Sequence, residues 1–293
     1  EEAFASPEAL KTWMPVDFYL GGPEHVNGHL LYSRFFTKVL FDAGYIDFDE
    51  PFKVHRHQGL ILGPDGRKMS KRWGNVINPS DVVDVYGADT MRMYEMFMGP
   101  LEDDKPWDEN GVKGIRRFLD RVWNLQKKVG SNEIDEEEDV VGFNFVLHKT
   151  IKKVSEDLEN LKFNTAISAM MEFSHTLQNT DKISSSAWSF FLLLLSPFAP
   201  HITEELWKSS GKKSSIAFAE WPTYDESKLV GHTMLIAVQV NGKVRATIVI
   251  ASDAGEDDVK SAAMADDNVK KWMGGNEAKK VIYVKGKIVN VVV

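Results

Sequence analysis

Between residues 111 and 227 the apolar residues keep a mostly helical rhythm, whereas on either side of that stretch helix and strand signals are mixed. This change of period constrains the fold more than any single residue does. A period near 3.6 packs helix on helix, whereas a period of 2 makes strands. In the first helix of the stretch Val112, Ile115, Leu119, Val122 and Val129 form one apolar stripe. A second helix is predicted from about Phe145 to Asn160. A third runs from Thr165 to Thr180 with Ile167, Met170, Met171, Ser174 and Leu177 inward, and a fourth from about Ser185 to Leu195. Pro200 suits the first position of a fifth helix, with Glu204 and Glu205 placed near the positive end of its dipole.

At 293 residues the chain has room for more than one core. The first 110 residues mix helix and strand signals with many glycines and prolines. After Trp221-Pro222 the runs Leu235–Val240 and Val244–Ile250 meet at Asn241-Gly242, a hairpin signal of type I′. Two short helices, Asp257–Met264 and Asn268–Met273, and a last hairpin of Lys280–Val284 with Ile288–Val293 complete a small α+β unit. The expected divisions are 1–110, 111–227 and 228–293. The first residue is Glu1, which suggests a piece of a longer protein.

The longest apolar run, Phe190 to Leu195, is far short of the roughly 20 residues of a membrane span. No cysteine is present, so neither a disulfide framework nor a thiolate metal site can form; this fits a cytoplasmic setting. The net charge of −8 argues against a protein that coats DNA or RNA indiscriminately. Local basic faces remain: Lys113, Arg116, Arg117, Arg121, Lys127 and Lys128 cluster against Asp120 alone, and Glu133, Asp135, Glu136, Glu137, Glu138 and Asp139 follow. The basic cluster reads either as an RNA contact or as a solvated helix face.

The chemistry concentrates in Gly63-Pro64-Asp65-Gly66-Arg67-Lys68-Met69-Ser70-Lys71-Arg72-Trp73-Gly74-Asn75-Val76, after a strand predicted at Gly59–Leu62. Lysines in a glycine-punctuated loop can neutralise a polyphosphate whose leaving group gains charge in the transition state. Alone, such a loop is better explained as a solvated basic turn. Upstream, Gly21 and Gly22 permit close backbone approach to a ligand, and Glu24 can accept hydrogen bonds from ribose hydroxyls. His55 and His57 share one face of a strand as two metal ligands would, yet no third ligand lies nearby, so no metal site is expected.

The string Lys68-Met69-Ser70-Lys71, with the following Gly74-Asn75-Val76, resembles the KMSKS loop of class I aminoacyl-tRNA synthetases. Met14-Pro15-Val16-Asp17, Gly21-Gly22-Pro23-Glu24-His25 and His29 to Phe35 resemble the leucyl branch of that family, as do Asn78-Pro79-Ser80-Asp81, Tyr86 to Thr90 and Met98 to Leu101. Ser196 to Trp207 resembles a stretch that the leucyl, isoleucyl and valyl branches share, and Val238 to Arg245 with Lys280 to Val284 resembles the leucyl C-terminal domain.

The resemblance implies the second half of a Rossmann-type nucleotide fold, an α-helical anticodon-binding bundle and a small α+β domain, that is, a multidomain α/β plus all-α chain. It implies leucine activation with ATP and Mg²⁺ and transfer to tRNA(Leu), with Lys68 and Lys71 catalytic and Gly22, Glu24, His25, Lys68, Met69, Ser70 and Lys71 on the ATP side. His29 would border the leucine pocket; Arg116, Arg117, Arg121, Lys243 and Arg245 would meet the tRNA; Asp89 and Arg92 would organise the join between the catalytic and helical parts. Arg72 departs from the family pattern, which has serine there. His25-Val26-Asn27-Gly28-His29 superficially resembles the family's HIGH signature, but that motif lies far upstream of KMSKS and the surrounding residues match the second half. The other nucleotide-fold half and the editing insertion would thus lie elsewhere, in cis or on a separate subunit. The alternatives are an RNA-binding subunit of a split synthetase and a valyl or isoleucyl fragment.

Overall fold

A computed structural model describes residues 4–130, 142–229, 233–251, 254–276, 278–284 and 286–293. The acidic run from Glu133 to Asp139 lies outside the described residues. The chain divides into two compact units: Glu1–Gln126 with Val154–Met171 and Leu195–Phe218, and Lys127–Lys153 with Glu172–Leu194 and Ala219–Val293.

In the first unit, helix α1 (Pro7–Trp13) precedes strand β1 (Tyr19–Gly21), which pairs in parallel with β2 (His55–His57). Helix α2 (Leu31–Asp42) connects the two, entered through a single π-type turn at Val26–Leu30 rather than the regular helix expected around His29. Such wide turns leave an i→i−4 bond unmade and occur often at functional sites. Strand β3 (Ile61–Leu62) pairs in parallel with β4 (Lys105–Pro106). It is shorter than the expected Gly59–Leu62. Gly59 N–H donates to the Leu101 carbonyl and Leu60 N–H to the Asp104 carboxylate, so neither N–H joins the ladder, although the Leu60 carbonyl accepts from Lys105 N–H of β4. A Cβ at Gly59 would fall on the Asp103 carbonyl, so only glycine permits that approach.

Helix α3 (Pro79–Tyr86) is capped by the Asn78 side chain, and Gly87, at φ 91°, turns the chain into α4 (Ala88–Phe97). Helix α5 (Glu109–Leu125) starts before Gly111 because Asp108 accepts from Asn110 N–H as its N-cap. It buries Val112, Ile115, Leu119 and Val122 as expected, and also Phe118 and Leu125. Val129 is off this helix; it bridges to Ile183 in the second unit instead.

Helices α6 (Phe143–Glu159) and α7 (Phe163–Asn179) each contribute to both units. In α7, Phe173 is buried along with Ile167, Met170, Ser174 and Leu177, while Met171 is only half-buried. In the second unit Phe173 lies 5.9 Å from Phe143 and 5.8 Å from Phe191 of α8 (Ser185–Leu195) between ring centres.

Helix α9 (Pro200–Ser209), in the first unit, begins at its proline. Glu204 and Glu205 lie past its first turn, and Glu204 accepts from Ser215 Oγ–H and Ile216 N–H. The carboxylate that occupies the start of the helix is Asp89 of α4: it accepts from the His201 and Ile202 backbone N–H groups, at 3.3 and 2.7 Å. Orphan donors at a helix start are thereby satisfied by a side chain 112 residues away.

The second unit ends in a four-stranded sheet of order β6-β5-β8-β7, from β5 (Thr233–Val240), β6 (Lys243–Ala251), β7 (Lys280–Val284) and β8 (Ile288–Val292). Asn241 and Gly242 both take positive φ, 49° and 79°, as a type I′ turn demands. Strands β5 and β8 pair in parallel. Helices α10 (Glu256–Ala265) and α11 (Asp267–Met273) cover one face of the sheet: Val259, Ala263, Val269 and Met273 pack with Ile236, Val238, Ile248, Val289 and Val291.

Candidate functional site

Two segments rich in candidate residues leave the carboxyl ends of parallel strands in the first unit, where open α/β folds bind their ligands. The first follows β1. Gly22 is buried, and a Cβ there would stand 2.5 Å from a Glu24 carboxylate oxygen, so glycine lets Glu24 fold back over the backbone. Glu24 Oε1 lies 3.8 Å from His25 Nε2. His25 and His29 are exposed. Tyr19 draws an aromatic cluster together: its ring centre is 4.1 Å from Phe52, 5.5 Å from His29 and 5.8 Å from His55. His55 is therefore a stacking partner beside Gly21, and its neighbours are rings rather than metal ligands. Among the described residues no group of three or more His, Cys, Asp or Glu side chains could hold a metal ion.

The second segment is the loop after β3. Its frame is made by residues whose part the sequence did not reveal. Asn75 Oδ1 accepts from Ser70 N–H at 2.9 Å, and its amide donates to Asp65 Oδ1 at 3.0 Å. Asp65 also accepts from the Arg67 backbone N–H and Nε. The Asn75 amide first, and then Arg67, hold the Asp65 carboxyl at about 2, below the usual carboxylate range. Ser70 Oγ accepts from Arg72 N–H and Ser70 O from Trp73 N–H. The guanidinium groups of Arg67 and Arg72 lie 4.6 and 5.1 Å from the Trp73 ring centre.

These contacts sort four cations into two kinds. Arg67 is held by Asp65 and lies over the Trp73 ring, which Arg72 also faces, whereas Lys68 and Lys71 are exposed and form no ion pair or hydrogen bond through their ammonium groups among the described residues. Arg72, at the position where the KMSKS pattern carries serine, thus turns its guanidinium toward Trp73. Met69 and Ser70 between the lysines are half-buried. A compact ammonium on a mobile stem is suited to follow a phosphate through a reaction. No hydrogen bond or ion pair among the described residues links this loop to the Gly22–His29 segment.

The other basic candidates also differ from one another. Arg116 is engaged by Asp120 and by the Tyr86 carbonyl, and among the described residues Arg117 donates only to the Lys113 carbonyl and the buried Arg121 Nε has no hydrogen-bond partner. Lys243 is exposed at the hairpin, and the Arg245 guanidinium stacks 3.5 Å from the centre of the Trp272 ring. Asp89 is held by the start of α9, and Arg92 donates to the Pro197 carbonyl at 3.1 Å.

Comparison with known proteins gives a consistent placement. The family described as tRNA synthetases class I (I, L, M and V) matches residues 2–108, and the anticodon-binding domain of tRNA ligase matches residues 143–260. A leucine–tRNA ligase of Bdellovibrio bacteriovorus is 48% identical over 293 residues, which is 100% of this chain and 37% of that protein. A solved ternary complex of the Agrobacterium radiobacter K84 agnB2 LeuRS with tRNA and LeuAMS matches 95% of this chain and 37% of its own at a TM-score of 0.69 and 36% identity. The segment after β1, the helical bundle and the C-terminal sheet thus have counterparts in order, and the chain spans little more than a third of the relatives it matches. Along its whole length the chain is similar to part of a leucine–tRNA ligase, and its residues 2–108 match the class I tRNA synthetase model.

Proposed function

We propose that this chain is the part of a cytoplasmic leucine–tRNA ligase that supplies the signature loop for leucyl-adenylate formation and surfaces that hold tRNA(Leu). The observation that carries this reading is the division within the loop: among the described residues the Lys68 and Lys71 ammonium groups are unengaged, while Arg67 is paired with Asp65 and Arg72 faces Trp73. As the leucine carboxylate attacks the α-phosphorus of ATP, the departing pyrophosphate gains charge, and Lys71, with Lys68, neutralises it. Met69 and Ser70 set the spacing of the two ammonium groups. Gly22, Glu24 and His25 receive the adenosine, Glu24 by accepting from ribose hydroxyls, and His29 borders the leucine side chain. Without a cluster of acidic groups of its own among the described residues, the protein would take Mg²⁺ together with the nucleotide, whose phosphates commonly hold that ion. Residues 1–110 form the catalytic part, 111–227 the helical tRNA-binding part and 228–293 the small C-terminal part, with Arg116, Arg117, Arg121, Lys243 and Arg245 facing RNA.

The remainder of the nucleotide fold covers α2. Leu31, Tyr32, Phe35, Phe36 and Val39 recur on one side of that helix and are all exposed. An apolar face of this kind marks an interaction surface, and nearly two thirds of the matched ligase lies outside this segment. In the complete ligase, Lys71→Ala is expected to lower leucine-dependent ATP–pyrophosphate exchange about 100- to 1,000-fold, the range for losing one transition-state donor. Affinity for tRNA(Leu), measured by filter binding, should stay within twofold. Equal losses in both assays would overturn the assignment.

A further inference from the structure

A cavity of about 400 Å³ opens in the first unit among the end of α3, the start of α4, the middle of α5 and the start of α9. That size falls within the roughly 300–1,000 Å³ of small-ligand sites. Its walls include Tyr86, Arg116, Asp120, Trp123 and His201. Trp123 is the unusual member. Helix α5 buries its other large apolar side chains along one stripe, yet Trp123 stands with Arg116 and Asp120 at i, i+4 and i+7 on the polar side and is 41% exposed.

The polar groups around the indole are fixed. Arg116 donates through Nε to Asp120 Oδ1 at 3.0 Å and through Nη1 to the Tyr86 carbonyl at 3.2 Å, and its Nη2 forms an ion pair with Asp120 Oδ1 at 2.9 Å. A guanidinium has five N–H bonds, so donors remain available to a ligand, and Asp120 Oδ2 accepts no hydrogen bond among the described residues. His201 is set by its Nδ1 contact of 2.7 Å to Asp89. The cavity therefore offers a flat aromatic face, free donors and a free acceptor in fixed positions, without the net positive charge that a bare phosphate would need.

We propose that this cavity binds one unpaired nucleobase of an RNA, stacked on the Trp123 indole with its edge read by Arg116 and Asp120. Planar heteroaromatic rings that carry donors and acceptors on the edge match those features, and unpaired bases are what proteins stack on aromatic side chains. Arg117, on the adjoining strip of α5 and without an ion pair among the described residues, meets a neighbouring phosphate. The proposal rests on the tRNA-binding reading above and adds to it a single-nucleotide site.

The test uses the complete ligase and purified tRNA(Leu). Affinity is measured for wild type, Trp123→Ala, Trp123→Phe and Arg117→Ala, with chemical probing of the bound tRNA at single-nucleotide resolution and a thermal melt of each variant. Trp123→Ala should weaken binding about tenfold, in line with the loss of one base–aromatic stack, and expose one unpaired nucleotide to the probe. Trp123→Phe should stay within threefold and keep that nucleotide protected. Trp123→Ala binding within twofold of wild type, or Ala and Phe variants losing equally, would overturn the nucleobase site. If Arg117→Ala loses affinity while Trp123→Ala does not, the tRNA-binding reading stands and the pocket falls. A wild-type ligase that binds no tRNA(Leu) would overturn both.

Discussion

Helix α2 and the C-terminal sheet treat their apolar residues in opposite ways. In α2 the one buried residue is Thr37, while Leu31, Tyr32, Phe35, Phe36 and Val39 are exposed. In the C-terminal sheet, with half as much chain as a typical domain, eleven of the described residues of β5, β6, β8, α10 and α11 close a core of their own. One region is complete by itself. The other has the composition of a core and none of its coverage, which is how a surface looks when its partner belongs to another part of the same protein.

Paired substitutions would break this contrast if it is wrong. Ile236→Ala, in the closed core, should cost about 2–5 kcal/mol, read by urea denaturation of the full chain with amide exchange in the sheet. Phe35→Ser, on the open face, should change the stability of the same chain by less than about 0.5 kcal/mol, as surface substitutions do. Similar costs at both positions would show that α2 is already covered.

A smaller effect is expected at Asp89. Asp89→Ala leaves the His201 and Ile202 N–H groups without their acceptor, and should cost about 1–3 kcal/mol. Thermal melts with amide exchange at the first turn of α9 would check it; unchanged exchange at Ile202 would contradict the cap.

What the sequence made legible here was mostly short-range. Pro200 starts its helix, Asn241-Gly242 makes its turn, and the stripe of α5 is buried, because each depends on neighbours within a few residues. The parallel pairing of β5 with β8 and the capping of α9 by Asp89 join residues about 50 and 112 positions apart, and no local pattern encodes them. The same distinction holds within the loop. Its density of charge was plain from the letters, but which cations are held depended on where Asp65, Trp73 and Asn75 fold back. Val129 continued the apolar spacing of α5 by coincidence, since the chain had already left the helix at Leu125.

The smallest effect is a titration. Asp65 sits at about 2, lowered chiefly by the Asn75 amide and then by Arg67. Because its folded value is depressed, its hold on the loop is fully present above the ordinary carboxylate range and fades as pH falls from about 4 towards 2. The Trp73 indole signal, assigned by NMR with Trp73→Phe, should shift over that window as Arg67 is released. A signal flat through the window would place the order of the loop elsewhere.

The central claim is that the loop is sound and its surroundings incomplete. The most direct measurement is leucine-dependent ATP–pyrophosphate exchange by this chain alone and again with the rest of the ligase supplied as a separate polypeptide. The account predicts no exchange above background from the chain alone and recovery on assembly. Robust leucine-dependent exchange by the chain alone would contradict it.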